Sequence, residues 1–289
     1  MQPSLLCMGE VLWDVLPGGR FLGGAPLNVA AHAVKAGASA AVFSTVGADE
    51  LGQDAIAAAR SHGVDVAHLA THPTYPTGQA IATIGPDGSA SYRFNAPCAW
   101  DALEATPGAL AAAAAADVVV HGTLARREGQ SRAALDALVK AARAHVYDPN
   151  LRVPHDGPEV ALAGLPGAWL VKLNEEEATR FCGWLGLPEE DHALERWLRE
   201  ERGVDRLCIT RGGGGASLWV NGTHHHGAAV PVKVLDTVGA GDSFLAMLTV
   251  SLLGGLPPQT AVDRALRVGA LVASRPGAIP DYRLEDLEG

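Results

Sequence analysis

The strongest chemical signal in the sequence lies at residues 236–244, which read Asp-Thr-Val-Gly-Ala-Gly-Asp-Ser-Phe. An extended apolar run enters this segment and an apolar helical run leaves it, so Gly239, Ala240 and Gly241 are predicted at the start of a helix. Open amide groups at a helix N-terminus bind an anion and suit the charge of a transferring phosphoryl group. Asp242 is predicted to lie where its carboxylate can accept a proton from an attacking hydroxyl. The alternative is a structural turn in which Asp242 interacts only with the helix dipole.

A second motif stands near the N-terminus, where residues 23–30 read Gly-Gly-Ala-Pro-Leu-Asn-Val-Ala. Gly37 and the stretch Val-Gly-Ala-Asp-Glu-Leu-Gly at residues 46–52 follow it. The order and separation of the two motifs resemble the ribokinase-like (PfkB) family of carbohydrate kinases, over nearly the whole chain from Gly9 to about Pro280. The resemblance is strongest to bacterial fructokinases. It implies transfer of the γ-phosphoryl group of ATP to a sugar hydroxyl, with magnesium.

The resemblance assigns roles to the residues of both motifs. Asp242 matches the catalytic base, and residues 239–241 match the anion hole. Asp14, Gly24 and Asn28 match residues that bind the sugar hydroxyls, and a carboxylate and an amide can serve vicinal hydroxyls as acceptor and donor. Asn28 also precedes an Ala-rich helix, so a helix N-cap is its structural alternative.

Two further segments resemble the nucleotide-binding part of the family. Residues 172–177 read Lys-Leu-Asn-Glu-Glu-Glu, and Glu177 matches a residue that holds magnesium through water, although Asn-x-x-Glu is also a capping box. Residues 210–215 read Thr-Arg-Gly-Gly-Gly-Gly and resemble the nucleotide loop, which would hold adenine against a helix at 267–274. The predicted nucleotide-binding residues are Lys172, Asn174, Thr210, Gly212 and Gly215.

The remaining predicted ligands come from loops. The resemblance implies a monovalent cation, often potassium, held by residues around the anion hole and after the last helix: Asp236, Val238, Val272, Arg275, Gly277 and Asp281. Arg152, in the Asp-Pro-Asn-Leu-Arg stretch at 148–152, is a candidate contact for sugar or phosphate, and a surface turn is its alternative. His224, His225 and His226 alternate in direction on a strand, so a solvated loop is predicted there instead of a metal site.

Strands alternating with helices must position these residues. The patterns predict strands at 5–8 (continued at 10–16), 40–46, 118–121, 146–147, 169–172, 207–210, 216–220 and 230–234. Helices are predicted at 26–37, 49–62, 131–144, from 175, at 241–253 and at 258–274. This rhythm predicts an α/β fold with three α/β/α layers around a mostly parallel sheet.

A small β lid is predicted to be inserted in this fold. Runs at 78–84 and 89–94 flank Pro-Asp-Gly, which is a hairpin signal. The predicted core comprises residues 1–10, 23–72 and 100–289, and the lid comprises residues 11–22 and 73–99. The exposed edges and face of the lid sheet could pair with a second copy of the chain, so a homodimer through the lid is predicted.

Composition excludes several classes of protein. The 289 residues carry a formal net charge of −10, which argues against general nucleic-acid binding. No apolar run is long enough for a membrane span, and the N-terminus lacks a signal-peptide pattern, so we expect a cytoplasmic protein. The four cysteines form no Cys-x-x-Cys pair and are expected to be reduced. The first strand lacks the Gly-x-Gly-x-x-Gly of a nicotinamide dehydrogenase.

The substrate is predicted from the same resemblance. D-Fructose phosphorylated at its 6-hydroxyl is the main prediction, and ribose or a nucleoside is a weaker fit. 2-Keto-3-deoxygluconate is the nearest rival, and Arg93 on the lid could supply the cation that this acid needs. A non-catalytic sugar sensor on the same fold would be expected to lose its base or its anion hole, and both are intact here.

Overall fold

The computed structural model describes residues 2–16, 19–84 and 90–287, which form thirteen strands and nine α-helices. The strands are β1 (Ser4–Met8), β2 (Leu12–Leu16), β3 (Gly19–Gly23), β4 (Ser39–Gly47), β5 (Asp65–His72), β6 (Gly78–Ile84), β7 (Ala90–Phe94), β8 (Val118–His121), β9 (His145–Tyr147), β10 (Leu170–Asn174), β11 (Arg206–Thr210), β12 (Ala216–Val220) and β13 (Thr223–Gly227). The helices are α1 (Ala25–Lys35), α2 (Glu50–Ser61), α3 (Pro107–Ala115), α4 (Gly129–Ala141), α5 (Pro158–Ala163), α6 (Glu175–Leu185), α7 (Asp191–Arg202), α8 (Ala240–Leu253) and α9 (Pro258–Ala273).

Nine strands form one large sheet in the order β13-β12-β11-β10-β9-β8-β1-β4-β5. All neighbours from β11 to β5 are parallel, whereas β12 and β13 add an antiparallel edge. Parallel strands end at the same edge of a sheet, and ligands of open α/β sheets bind at that carboxyl edge. The carboxyl ends of β1, β8, β9, β10 and β11 therefore frame the region in which a site is expected.

Helices cover both faces of this sheet, which confirms the predicted three-layer α/β/α fold. Successive side chains of a strand point to opposite faces. Leu5 and Cys7 of β1 accordingly pack in a core with α1, α8 and α9, while Leu6 and Met8 pack in a second core with α3 and α4. A third core lies under α6 and α7. The four cysteines are buried and free.

Four strands form a separate small sheet in the order β3-β2-β6-β7. The β2–β6 pair is parallel and the β2–β3 and β6–β7 pairs are antiparallel. The β6–β7 pairing is the predicted hairpin, although its predicted turn at residues 86–88 lies outside the described residues. The prediction that β2 continues β1 is wrong. Gly9 has a φ of 145° and the chain leaves the large sheet there, so β2 belongs to the small sheet.

The prediction of a strand at 230–234 is also wrong. Val230, Val232 and Val234 are exposed, and the segment has no strand assignment. The end of this segment hydrogen-bonds to a helix and not to a strand: the amides of Leu235 and Asp236 both donate to the carbonyl of Ala273 at the end of α9. The outer neighbour of β12 is β13, which contains the three histidines predicted to lie in a loop.

Across the part of the chain that the structure describes, no helix has both the length and the apolar character needed to cross a membrane.

Candidate active site

Asp242 lies in the first turn of α8 and connects the two sequence motifs. The Asn28 side-chain amide on α1 donates to Asp242 Oδ2 at 2.8 Å, across 214 residues of sequence. Burial raises the pKa of the Asp242 carboxyl above its usual range, the Asn28 hydrogen bond lowers it, and the nearby Asp148 carboxylate raises it further. The net result is a carboxylate that is more basic than usual, and a general base benefits from a raised pKa.

Asn28 lies inside α1, which begins at Ala25 with Gly24 as its N-cap, so the alternative interpretation of Asn28 as a helix cap is wrong. Gly24 has a φ of 107°, and a Cβ built there would lie 2.4 Å from the carbonyl oxygen of Glu10. Only glycine fits this position. The close approach lets α1 start directly beside the end of β1 and directs Asn28 toward α8.

The start of α8 presents only part of the predicted anion hole. The Ala240 amide donates to the Thr237 carbonyl at 3.3 Å, whereas the Gly241 and Asp242 amides have no partner among the described residues. Gly239 is the N-cap, with a φ of 77°, and a Cβ on Gly239 would lie 2.3 Å from the Ala278 carbonyl oxygen. A Cβ on Gly241 would lie 3.3 Å from Lys172 Nζ, so the lysine side chain reaches the first turn of the helix. The amides of this turn, the dipole of α8 and the Lys172 ammonium therefore all favour negative charge at one place.

Lys172 is held by a buried ion pair at the carboxyl end of β10. Its Nζ lies 2.9 Å from Asp148 Oδ2, and both side chains are only 8% exposed. Burial lowers the pKa of Lys172, but the carboxylates of Asp148 and Glu177 raise it more, so the pKa lies above its ordinary value and the ammonium stays charged. Asp148 Oδ1 is buried without a hydrogen-bond partner among the described atoms.

Glu177 forms the capping box predicted at the start of α6. Asn174 Oδ1 accepts from the Glu177 amide at 2.8 Å, and Glu177 Oε2 accepts from the Asn174 amide at 2.9 Å. Glu177 Oε1 accepts from the Leu151 amide at 2.9 Å. Burial and then the Asp148 carboxylate raise the pKa of Glu177, whereas Lys172 lowers it. The box therefore fixes a buried carboxylate next to the Lys172–Asp148 pair.

Asp14 on β2 approaches the same region from the small sheet. A Cβ on Gly23 of β3 would lie 2.4 Å from Asp14 Oδ2, so a larger residue there would displace the Asp14 carboxylate. Burial raises the pKa of Asp14 to about 6, Arg152 lowers it, and Asp242 raises it. Asp14 therefore lies near enough to Asp242 and Arg152 for their charges to change its pKa.

Glu10 was missed in the sequence and belongs to this cluster. It follows β1 and is 6% exposed. Burial raises the pKa of Glu10 to about 7, Arg152 lowers it and Asp242 raises it. Glu10 also lines a small cleft with His121 and Asp148 at the carboxyl ends of β8 and β9. The sequence did contain a signal for Glu10, because it is an acidic residue just after the first buried strand. Ligands of open α/β sheets bind at the carboxyl ends of the strands.

The two predicted arginines differ in their placement. Arg152 is exposed, and its charge lowers the pKa values of Glu10, Asp14 and Asp242. Arg93 is exposed on β7, opposite Ile81 in the small sheet, and its substrate contact stays a prediction.

The predicted nucleotide residues lie beside Lys172 at the same edge. Asn174 and Thr210 are register partners at the ends of β10 and β11. Gly212 lies in a short 3-10 turn, and Gly215 has a φ of 82° with the Gly227 carbonyl oxygen 2.2 Å from where its Cβ would be. The loop from Thr210 to Gly215 therefore turns tightly over the sheet edge next to Lys172.

The predicted cation ligands are only partly assembled. Asp236 Oδ1 accepts from the Val238 amide at 3.0 Å and Oδ2 accepts from the Gly277 amide at 3.1 Å, which ties the loop before α8 to the loop after α9. The Val272 carbonyl accepts from the Arg275 amide at 3.0 Å. The Asp281 carboxylate is fully exposed and lies 3.6 Å from Lys35 Nζ, outside this group. The potassium site stays a prediction.

The fold is three-layered α/β/α, and Asp242, Asn28 and Lys172 meet at the first turn of α8. The sequence model of the pfkB family carbohydrate kinases matches residues 11–284. The chain belongs to this family, as the motifs predicted.

Individual relatives are similar over their full length. The fructokinase of Escherichia coli is 29% identical, with 96% of this chain and 96% of the relative covered. The 2-dehydro-3-deoxygluconokinase of Thermoproteus tenax is 28% identical, with 97% and 92% covered. The structure of Vibrio cholerae O395 fructokinase bound to fructose, ADP and calcium superimposes with a TM-score of 0.84 at 22% identity, covering 99% of this chain and 98% of that one. Xylella fastidiosa fructokinase with bound ATP gives a TM-score of 0.86 at 20% identity, covering 100% and 98%.

Proposed function

We propose that this carbohydrate kinase transfers the γ-phosphoryl group of ATP to the 6-hydroxyl of D-fructose. The observation that carries the proposal is the hydrogen bond from Asn28 to Asp242 at the open start of α8. This bond supports the proposal because it joins Asp242, whose carboxyl has a raised pKa, to Asn28 of the predicted sugar set at the first turn of α8. Phosphoryl transfer requires this combination of positioning and charge stabilisation.

Each group has a distinct task in the proposed reaction. Asp242 accepts the proton of the attacking hydroxyl as the new P–O bond forms, and ADP leaves with the electron pair of the broken bond. The amides at the start of α8 and the Lys172 ammonium stabilise the charge on the phosphoryl oxygens. Asp14 and Asn28 orient the sugar. The small sheet, which carries Asp14, acts as a lid that excludes water from the transfer.

The residues around Lys172 fit magnesium. Asp148 has a buried carboxylate oxygen without a partner among the described atoms, and the nearby Glu177 carboxylate acts on the same group. Mg²⁺ is commonly bound by one or two carboxylates together with waters and substrate phosphates. Asp148 and Glu177 would hold the ion directly or through water. The ion would supply neutralisation of the nucleotide phosphates.

The adenine site is supported by an exposed apolar strip. Val230, Val232, Val234 and Leu235 are exposed on the segment before α8, and this segment is bonded to the end of α9 through the Ala273 carbonyl. An apolar surface at such a place suits a flat, apolar ring. The predicted position of adenine between the 210–215 loop and α9 is consistent with this strip.

Two observations bear on the choice of sugar. The relatives include fructokinases and a 2-dehydro-3-deoxygluconokinase at nearly equal identity, so similarity alone favours neither substrate. The site is rich in carboxylates, namely Glu10, Asp14 and Asp242, and this favours a neutral sugar. Arg152 is the specific feature that favours the acid as a second candidate, because its charge acts on the same three groups.

An ADP-release assay with ATP and magnesium tests the proposal across fructose, glucose, ribose, 2-keto-3-deoxygluconate and adenosine. Turnover with fructose alone supports it, and turnover with another member of the panel replaces the substrate. A folded, ATP-binding protein that turns over none of them would favour the sugar sensor.

The catalytic role of Asp242 has its own test. Asp242→Asn should lower kcat by about 10²-fold or more, because the amide cannot accept the proton. Asp54→Asn, at an exposed position of α2, is the matched control and should keep full activity. Near-normal kcat in a folded Asp242→Asn variant would contradict the assignment.

A further inference from the structure

His32 is a buried histidine on α1 that neither the motifs nor the proposed reaction uses. It is 1% exposed, and both ring nitrogens have partners. Nε2 lies 2.9 Å from the Ala278 carbonyl oxygen, and Nδ1 lies 2.8 Å from the Tyr282 hydroxyl. His32 therefore joins α1 to the chain that follows α9.

The partners determine the tautomer of His32. A carbonyl oxygen can only accept, so Nε2 carries the proton and donates it to Ala278. A neutral ring then has an acceptor at Nδ1, which the Tyr282 hydroxyl serves as donor. Burial lowers the pKa of His32 to about 4, the Ala278 carbonyl raises it and Lys35 lowers it, so the ring is neutral near pH 7.

The Ala278 carbonyl is in turn packed against the anion hole. Its oxygen lies 2.3 Å from the position of a Cβ on Gly239, the N-cap of α8. The neighbouring Gly277 amide donates to Asp236 on the other side of the same turn. Asn28, one helical turn before His32, donates to Asp242. The same face of α1 thus contacts both the base and the loop against which the anion hole rests.

We propose that His32 is a positioning residue for phosphoryl transfer: its Nε2–H holds the Ala278 carbonyl against Gly239 and so keeps the open amides of α8 aligned with the sugar-binding helix α1. The proposal rests on the proposed roles of Asp242 and the α8 start. A group that fixes the transition-state site without touching substrate should act on kcat and leave substrate binding unchanged.

Steady-state kinetics with fructose, ATP and magnesium test this role. His32→Leu should lower kcat about tenfold, with KM values for both substrates within about twofold, because one hydrogen bond that fixes the loop is lost. His32→Gln, whose amide can donate to the Ala278 carbonyl, should restore kcat to within about threefold of the parent. Tyr282→Phe removes only the outer hydrogen bond and should lower kcat about threefold at unchanged KM.

Ser4→Ala is the control. The Ser4 hydroxyl donates to Asp117 Oδ2 at 2.9 Å at the amino end of β1, at the edge of the sheet opposite the candidate site. This variant should lose stability and keep kcat. The proposal is overturned if His32→Leu has the kcat of the parent. It is also overturned if His32→Gln has a kcat as low as that of His32→Leu. If His32→Leu does not fold, Tyr282→Phe decides, and an unchanged kcat overturns the proposal.

Asp242→Asn, assayed in parallel, separates the two proposals. An inactive Asp242→Asn beside fully active His32 variants overturns only the positioning role. An active Asp242→Asn overturns the catalytic assignment and the positioning role together.

Discussion

Replacing Glu10 by Gln should stabilise the protein in a way that grows with pH. Burial raises the pKa of Glu10 from its ordinary 4.5 to about 7 in the folded chain. Below pH ~4.5 the carboxyl is protonated in both the folded and the unfolded state, so ionisation costs nothing. As pH rises through the folded pKa, the unfolded chain ionises more readily and folding stability falls. The glutamine side chain of the variant is neutral at every pH, so its stability does not fall in this way.

The magnitude follows from the two pKa values. At ~1.4 kcal/mol for each pKa unit, the difference between 4.5 and about 7 reduces the free energy of unfolding by about 3 kcal/mol once pH exceeds the folded pKa. The same linkage relation gives a loss of ~1 kcal/mol at pH 5, ~2 at pH 6 and ~3 at pH 7 to 8. The free energy of unfolding of Glu10→Gln, relative to that of the parent, should increase with pH by these amounts.

Urea unfolding at each pH measures the prediction, because the midpoint and slope give the free energy of unfolding. The pH-dependent part of the difference is the test, since a lost hydrogen bond would add only a constant offset. Glu104→Gln, at an exposed loop position, is the control and should show no trend. A constant difference between Glu10→Gln and the parent from pH 5 to pH 8 would refute the argument that burial perturbs Glu10.

Two further predictions concern groups that contact Asp242 or the anion hole. Lys172→Met should lower kcat by about 10²-fold or more through the loss of charge at the anion hole, and should cost about 3 kcal/mol of stability because Asp148 stays buried without its partner. Kinetics and urea unfolding check both effects, and an unimpaired kcat would exclude Lys172 from the site. Asn28→Leu removes the hydrogen bond that lowers the pKa of Asp242, so the acidic limb of the kcat/KM profile should move to higher pH. An unmoved or lowered limb would contradict this electrostatic role.

The sequence motifs predicted the centre of the site because their residues act through local backbone geometry. The small residues at 239–241 identify a helix start at which other groups approach the backbone closely. Asn28 follows Gly24, where the carbonyl oxygen of Glu10 leaves no room for a side chain. Each motif predicts its own local structure. The order and separation of the two motifs resemble those of the family, and this resemblance predicts that the motifs meet in the fold. The hydrogen bond between Asn28 and Asp242 shows that they do.

Other features depend on tertiary contacts that local patterns do not contain. Thr-His-His-His-Gly has no apolar alternation, yet it forms β13 because β12 offers it a free edge. The alternating valines at 230–234 look like a strand, but their side chains are exposed and residues 230–234 form no strand. Glu10 and His32 are inconspicuous in sequence. Their properties arise from burial beneath segments more than 200 residues away, including Asp242 and Ala278.

The balance of charge at the site gives the physical reason for preferring a neutral sugar. Lys172 also acts on Asp242 but is paired with Asp148, and Arg152 is the cation whose charge acts on Glu10, Asp14 and Asp242 alike. Burial has already raised the pKa values of these three carboxyls, which means that further negative charge is unfavourable there. A sugar acid would have to take Arg152 from the carboxylates and would raise their pKa values again. A neutral sugar brings hydroxyl donors, which stabilise the ionised carboxylates and leave Asp242 ready to accept a proton.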